Sequence, residues 1–368
     1  MTGAVIALLG GLVLLGVGAE GLVRGASRLA ARLRVPPLLV GLTIVAYGTS
    51  APETAVSAAG AVAGRGDLVL GNALGSNVFN GLAILGVAAL VAPLAAQARI
   101  VRIDAPLVVA ATLAVWVLAW DGTLGRPDGL LLIGAGLAYT ALVVVAGRSA
   151  ARHESDRATG EAATTPETHR TGGAGVAIDV LVLVLGLVLL VTGSRWLVDG
   201  AVTLARAAGL SDLVIGLTVV AAGTSLPELG TSVLAAVRGE RDVALGNIVG
   251  SNLFNLLVVL GVGGTLAPGG LAVPAGVTTI DLPVALGVAL VCVPLAFTGG
   301  RIARWEGAVL LGFYLAYLAW LLADATGHAR AENLGAALAG FVVPLSALAF
   351  GALAVGEVRR RGGRGSRR

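Results

Sequence analysis

Glu53 and Glu228 are the side chains of this sequence best placed to do chemistry. Each follows a proline inside a strongly apolar stretch, in GTSAPE (Gly48–Glu53) and GTSLPE (Gly223–Glu228). A carboxylate at membrane depth is expensive, and such groups generally mark function. Pro52 and Pro227 have no N–H to donate, and their rings press on the carbonyls of Gly48 and Gly223, four residues earlier. In lipid, carbonyls freed in this way must be satisfied by something else. Each loosened turn therefore offers backbone oxygens, the hydroxyls of Thr49 and Ser50 or of Thr224 and Ser225, and one carboxylate. These are hard oxygen donors, the kind that Na⁺ and Ca²⁺ take. The following span adds Ser76, Asn77 and Asn80 in the first case, and Ser251, Asn252 and Asn255 in the second. Ser76 and Asn80, four residues apart, share a helix face.

Taken singly, each feature has a plainer reading. A membrane proline can be only a kink, and serine or asparagine often just bonds a neighbouring helix. Duplication favours the ion-site reading. Gly41–Asn80 and Gly216–Asn255 align without a gap, with GLT, VA, GTS, PE, GN, GSN and a closing Phe-Asn in register.

The elements that position these residues are membrane helices. Of the 368 residues, 57% are hydrophobic and 12% charged, and the mean hydropathy is +0.92. Soluble domains carry about 25% charged residues, and apolar runs of roughly 20 residues, each long enough to span as a helix, recur throughout. A β-barrel would show short alternating segments instead. The 55 glycines suit closely packed membrane helices. The net charge of +4 comes from arginines in short loops and a terminal tail, with no lysine, so it is a topology signal and not a nucleic-acid surface. One cysteine, Cys292, excludes an internal disulfide. His153, His169 and His328 lie in polar connections, so neither a histidine metal cluster nor a Ser-His-Asp set can be built. The expectation is a transporter without enzymatic activity, with no cofactor beyond its transported ions and no evident obligate protein partner.

The first span is expected over roughly Ala4–Leu22, continuing to about Ala31; Glu20 near its end, beside Arg24, reads as interfacial. Arg24, Arg28, Arg32 and Arg34 follow. The second span starts at Pro36-Pro37 and carries GTSAPE; the turn Gly64–Asp67 leads to the third, with GNALGSNVFN, and then to Arg99 and Arg102. The fourth span is about Ala105–Trp120 and the fifth about Leu130–Ala146, with the turn cluster Asp121–Gly129 between them. Asp104 and Asp281, each two residues before a proline, read as helix N-terminal residues stabilised by the dipole. The polar, mixed-charge segment 148–173 reads as a solvated, flexible cytoplasmic linker. It separates a first membrane repeat, 1–147, from a second, 174–323, which replays the first: Gly193–Arg206 matches Gly18–Ala31, and GERD (Gly239–Asp242) matches the first turn. Residues 324–368 hold an eleventh apolar run, about Leu334–Val355, and the arginine tail Arg359–Arg368.

Five spans per half is an odd number, so the second half enters the membrane from the opposite side. The fold class is therefore an all-α integral membrane protein of two inverted five-helix repeats plus an extra C-terminal helix, about 11 spans, an arrangement typical of secondary transporters. Arginine is dense after spans 1, 3, 5, 9 and 11 and sparse after spans 2, 4, 8 and 10, while Arg238 and Arg241 after span 7 are diluted by Glu240 and Asp242. This pattern puts the N-terminus outside and the linker and C-terminus in the cytoplasm. The expected location is a cell membrane, the inner membrane of a prokaryote. The N-terminus reads as a first span and not as a removed signal peptide.

G-T-S-x-P-E in both halves, each followed by G-N-x-x-G-S-N-x-x-N, resembles the α-repeats of the sodium/calcium exchanger family, prokaryotic type, within the cation/calcium antiporter superfamily. The resemblance covers ten of the eleven expected spans. It implies that the α-repeat helices enclose the ion sites and that the first helix of each half slides to alternate access. The ligands it implies here are Glu53, Glu228, Thr49, Thr224, Ser50, Ser225, the carbonyls of Ala46 and Ala221, Ser76, Ser251, Asn80 and Asn255. Some members, potassium-dependent ones included, carry aspartate where this chain has Asn255, so the amide implies independence of K⁺. The eleventh span departs from the ten-helix core, and no large calcium-sensing domain is present. The implied activity is exchange of Na⁺ for Ca²⁺ by alternating access. The alternative is Ca²⁺/H⁺ antiport by protonation of the same glutamates, although proton-coupled relatives usually show G-N-x-x-E at this place. An intramembrane enzyme or a structural membrane protein would leave two matched buried glutamates without a role.

Overall fold

The computed structural model describes residues 2–160, 173–210, 212–215, 218–219, 221–297 and 301–326. The eleventh apolar run, the arginine tail and the middle of the polar segment, 161–172, lie outside them.

The described chain is helical apart from two short strand pairs. Its helices are α1 (Thr2–Leu33), α2 (Pro37–Thr49), α3 (Ala51–Val62), α4 (Gly66–Val91), α5 (Ile100–Leu118), α6 (Arg126–Gly160), α7 (Gly173–Ala207), α8 (Leu226–Val237), α9 (Arg241–Leu266), α10 (277–297) and α11 (Arg304–Ala325). Short helical turns at Asp212–Ile215 and Ala221–Gly223 precede α8. Seven of these helices are long and apolar enough to cross a membrane by themselves. The second span is broken in two at Ser50, the described part of the seventh is interrupted at Ser225 just before α8, and α10 is the remaining apolar helix.

The two halves interlock and are not two separate bundles. Strand β1 (Leu94–Ala95) pairs antiparallel with β4 (Arg301–Ile302), and β2 (Thr123–Leu124) with β3 (Leu271–Ala272), so each clip joins one half to the other. α4 and α9 form the centre. In them 78% and 89% of the apolar window is buried, against 22% in both α1 and α7, which present Ile6, Leu9, Leu12, Leu181 and Leu185 outward to lipid.

α1 and α7 lie along each other in opposite directions. Their contact is made by glycines seven residues apart, Gly11, Gly18 and Gly25 on α1 and Gly186, Gly193 and Gly200 on α7. A seven-residue repeat keeps one face of a helix turned to its partner, and the absence of a Cβ lets the two backbones approach closely. A Cβ on Gly18 would stand 2.5 Å from the Leu190 nitrogen, whereas one on Gly16 would meet nothing within 4 Å. Gly18→Ala is therefore expected to lower the melting temperature of the detergent-solubilised protein by several degrees, an overpacking cost of about 1–3 kcal/mol. Gly16→Ala should hold or raise it, since alanine is the better helix former. Equal melting temperatures for the two variants would contradict the close contact. An ion pair fixes one end of this helix pair, where Arg32 of α1 donates to the buried Asp179 of α7 and Arg28 lies 3.9 Å from the same carboxylate.

Three sequence expectations need correction or extension. Asp281 is the fifth residue of α10 and not a helix N-terminal residue, and neither is Asp104. Asp104 is the fifth residue of α5, wholly buried, with Arg99 Nε 3.4 Å from its carboxylate and the Tyr139 hydroxyl donating to it at 3.1 Å. The groups that face its carboxylate are these two side chains and not free amides, with the phenol bonded to Oδ1 and the guanidinium nearest Oδ2. α6 runs on to Gly160, so the first part of the polar segment is helical. Glu20 pairs with Arg24 and also with Arg238, in the turn after α8, which ties α1 to the broken span.

Candidate functional site

The break in each repeated span is the same local event. Ser50 (φ −85°, ψ 9°) and Ser225 (φ −93°, ψ 9°) leave the helical region, and a new helix starts one residue later with proline at its second position. Proline is tolerated there, because that N–H has no intrahelical partner anyway. Glu53 and Glu228 fall in the first turns of α3 and α8, where the helix dipole favours negative charge.

Ser-x-x-Glu is the pattern of a capping box, in which the serine side chain bonds its own helix. Here neither serine does so. Ser50 Oγ donates instead to Glu228 Oε1 at 2.8 Å, and Ser225 Oγ donates to Glu53 Oε1 at 3.0 Å. Each glutamate is thus held by the serine of the opposite half, and this exchange brings the two breaks together at the middle of the protein. Glu53 is 0% and Glu228 1% exposed, and the Oε2 atom of each has no hydrogen-bond partner. A buried carboxylate oxygen without a partner carries a large desolvation cost. A cation between the two glutamates would offset it.

The remaining expected ligands surround this pair unequally. Ser225 Oγ lies 3.0 Å from Ser76 Oγ. Ser251 is wholly buried and its hydroxyl has no partner. Asn80 Nδ2 donates to Asn252 Oδ1 at 3.1 Å, which leaves Asn80 Oδ1 unbonded, whereas both amide atoms of Asn255 are unbonded at 0% exposure. The Ala46 carbonyl accepts from the Ser50 N–H at 3.0 Å and from Thr49 Oγ1 at 3.3 Å. In the second half the turn is tighter. The Ser225 N–H goes to Ala222 at 3.2 Å, one residue past Ala221, which opens the turn Ala221–Gly223. Asn80 and Asn255 each stand at a widened, π-helical turn, Phe79–Ile84 in α4 and Asn255–Val259 in α9, a distortion frequent at functional sites.

Two residues that the sequence reading passed over belong to the same network. Asn72 bonds Thr224 of the other half, and Asn247 bonds Thr49. Their signal in the sequence is the Gly-Asn dipeptide repeated in both halves, Gly71-Asn72 and Gly246-Asn247. Among the described residues there is no group of three or more His, Cys, Asp or Glu placed to hold a metal. The arrangement is two carboxylates among neutral oxygens, donors of the kind that hard cations take.

Comparison with known proteins identifies relatives of the whole described fold. Relatives include CaxA of Alkalimonas amylolytica, which carries the name of an antiporter, at 42% identity over 85% of this chain and 97% of that protein. The sodium/calcium exchanger MaX1 of Methanosarcina acetivorans is 33% identical over 84% of this chain and 96% of that protein. Among solved structures, the sodium-calcium exchanger NCX_Mj soaked with Na⁺ and Sr²⁺ superposes with a TM-score of 0.73 at 29% identity, covering 86% of this chain and 98% of that one. The family model described as sodium/calcium exchanger protein matches residues 3–145 and 178–323, and with the break, the crossed serines and the buried glutamates already in place, the chain belongs to the sodium/calcium exchanger family.

Proposed function

We propose that this member of a family of membrane cation exchangers is a secondary antiporter that exchanges Na⁺ for Ca²⁺ by alternating access at one central site. The observation that carries the reading is the crossed glutamate pair, two wholly buried carboxylates each with an oxygen left over. Two negative charges balance one divalent cation. The same carboxylates, with the Thr and Ser hydroxyls and neighbouring carbonyls, also suit several Na⁺ in place of one Ca²⁺. Because both ions need the same oxygens, they compete, and competition couples the two fluxes. The ligand set is Glu53, Glu228, Thr49, Thr224, Ser50, Ser225, Ala46, Ala221, Ser76, Ser251, Asn80 and Asn255. The arginine pattern orients the protein in a cell membrane with its N-terminus outside and its C-terminus in the cytoplasm.

The test is uptake of radioactive calcium by proteoliposomes. Vesicles loaded with Na⁺ and diluted into Na⁺-free medium should accumulate Ca²⁺, and collapse of the Na⁺ gradient should stop them. Uptake driven only by a pH gradient would replace Na⁺ by H⁺ as the coupling ion.

A further inference from the structure

We infer that Asn72 and Asn247 are positioning residues that orient the threonine hydroxyls of the transport site, an assignment that rests on the reading of Thr49 and Thr224 as cation ligands. Asn247 Nδ2 points at the backbone carbonyl of Glu228, at 3.4 Å, and at Ser232 Oγ, at 2.9 Å. Asn72 Nδ2 does the same with the Glu53 carbonyl, at 3.0 Å, and Ser57 Oγ, at 2.9 Å. A backbone carbonyl only accepts, so the amide face turned to it must be the NH₂ group, and both of its hydrogens are used.

The opposite face of each amide is therefore an oxygen, and it can only accept. Thr49 Oγ1 donates to Asn247 Oδ1 at 3.1 Å, and Thr224 Oγ1 donates to Asn72 Oδ1 at 3.3 Å. A hydroxyl has one hydrogen and two lone pairs. With the hydrogen held by the amide, the lone pairs are what a cation meets. The alternative for Thr49, a bond to the Ala46 carbonyl at 3.3 Å, also spends the hydrogen and leaves the lone pairs. Without Asn247 only the longer bond to the Ala46 carbonyl, itself one of the ligands, would hold the Thr49 hydrogen, and without Asn72 the Thr224 hydroxyl could turn its hydrogen toward the buried carboxylates.

Each asparagine also spans the two halves. Asn247 joins the first-half Thr49 to the turn that carries Glu228, and Asn72 joins the second-half Thr224 to the turn that carries Glu53. A plain helix-packing role would need the contacts to Ser57 and Ser232 only. The amide oxygens bonded to threonine are what distinguish the positioning role.

A double-mutant cycle tests this, read as the Ca²⁺-induced rise in melting temperature of the detergent-solubilised protein, which reports binding without requiring transport. Asn247→Ala and Thr49→Val should each raise the half-saturating Ca²⁺ concentration about tenfold, and the double variant should raise it about tenfold as well, because both remove one interaction. Ser232→Ala removes one of the two acceptors that orient the Asn247 amide but leaves the Glu228 carbonyl and Thr49 in place, so it should raise the half-saturating concentration by less than Asn247→Ala does. Asn72 is half-buried, so Asn72→Ala with Thr224→Val supplies the same cycle where the fully buried Asn247 variant does not fold. A half-saturation for Asn247→Ala and Asn72→Ala within about twofold of wild type, or additive losses of about a hundredfold in the double variants, would overturn the assignment. Absence of any Ca²⁺-induced shift in the wild type would remove the exchange reading itself, and the positioning role with it. A shift in the wild type together with an additive cycle would remove the positioning role alone.

Discussion

Glu53→Gln and Glu228→Gln are each expected to reduce exchange to the background of protein-free vesicles, while the variant protein still inserts and folds. Glutamine keeps the shape and one carbonyl oxygen, so Ser225 or Ser50 retains an acceptor where it now bonds Oε1. What changes is charge. With one carboxylate left, a bound Ca²⁺ would sit in a buried site with a net positive charge, and the new NH₂ group would turn hydrogens toward it. Removing one partner of a buried charge pair costs about 3–5 kcal/mol, more than a hundredfold in affinity. The protein without cations should not suffer, because the substitution removes a buried charge that lacks a full set of partners. Each variant should therefore melt at or above the wild-type temperature in the absence of cations and lose the Ca²⁺-induced rise. Near-normal Na⁺-driven Ca²⁺ flux in either variant would show that its glutamate is not a ligand.

The second large effect is on voltage. Two carboxylates neutralise one Ca²⁺, whereas three Na⁺ at the same oxygens leave one net positive charge on the site. Three Na⁺ leaving a vesicle for each Ca²⁺ entering removes one positive charge per cycle. An inside-positive potential, set with K⁺ and valinomycin, should accelerate Na⁺-driven Ca²⁺ uptake, and an inside-negative potential should slow it. One charge moved across about 60 mV is worth about 1.4 kcal/mol, so the Ca²⁺ accumulation ratio should change about tenfold for that step. Uptake indifferent to potential would mean two Na⁺ per Ca²⁺, with only the two glutamate charges to balance in either loaded state.

The sequence by itself determined the features that depend on local chemistry and on repetition. Long apolar runs require membrane helices whatever their neighbours. Pro52 and Pro227 require a disturbed turn because each lacks an N–H. The gap-free match of Gly41–Asn80 with Gly216–Asn255 requires equivalent elements, and an odd number of spans per half requires their inversion. Buried glutamates in lipid point to ions because nothing cheaper would keep them there.

Only the tertiary structure decided which equivalent residues meet. Ser50 could have capped its own helix, as its spacing to Glu53 suggests; it bonds Glu228 instead, and Ser225 reciprocates. Sequence spacing describes neighbours on one helix, and a two-fold relation between halves allows contact either within or across them. The same limit concealed Asn72 and Asn247, whose partners are far away in the chain, and Tyr139, which donates to Asp104. The glycines of α1 and α7 show this most plainly. Their seven-residue spacing is written in the sequence, but that the two sets face each other, backbone against backbone, depends on how the halves pack. Asn80 and Asn255 are equivalent by repeat, yet Asn80 bonds Asn252 of the other half while Asn255 makes no matching bond to Asn77, so the packing around the centre is not perfectly two-fold.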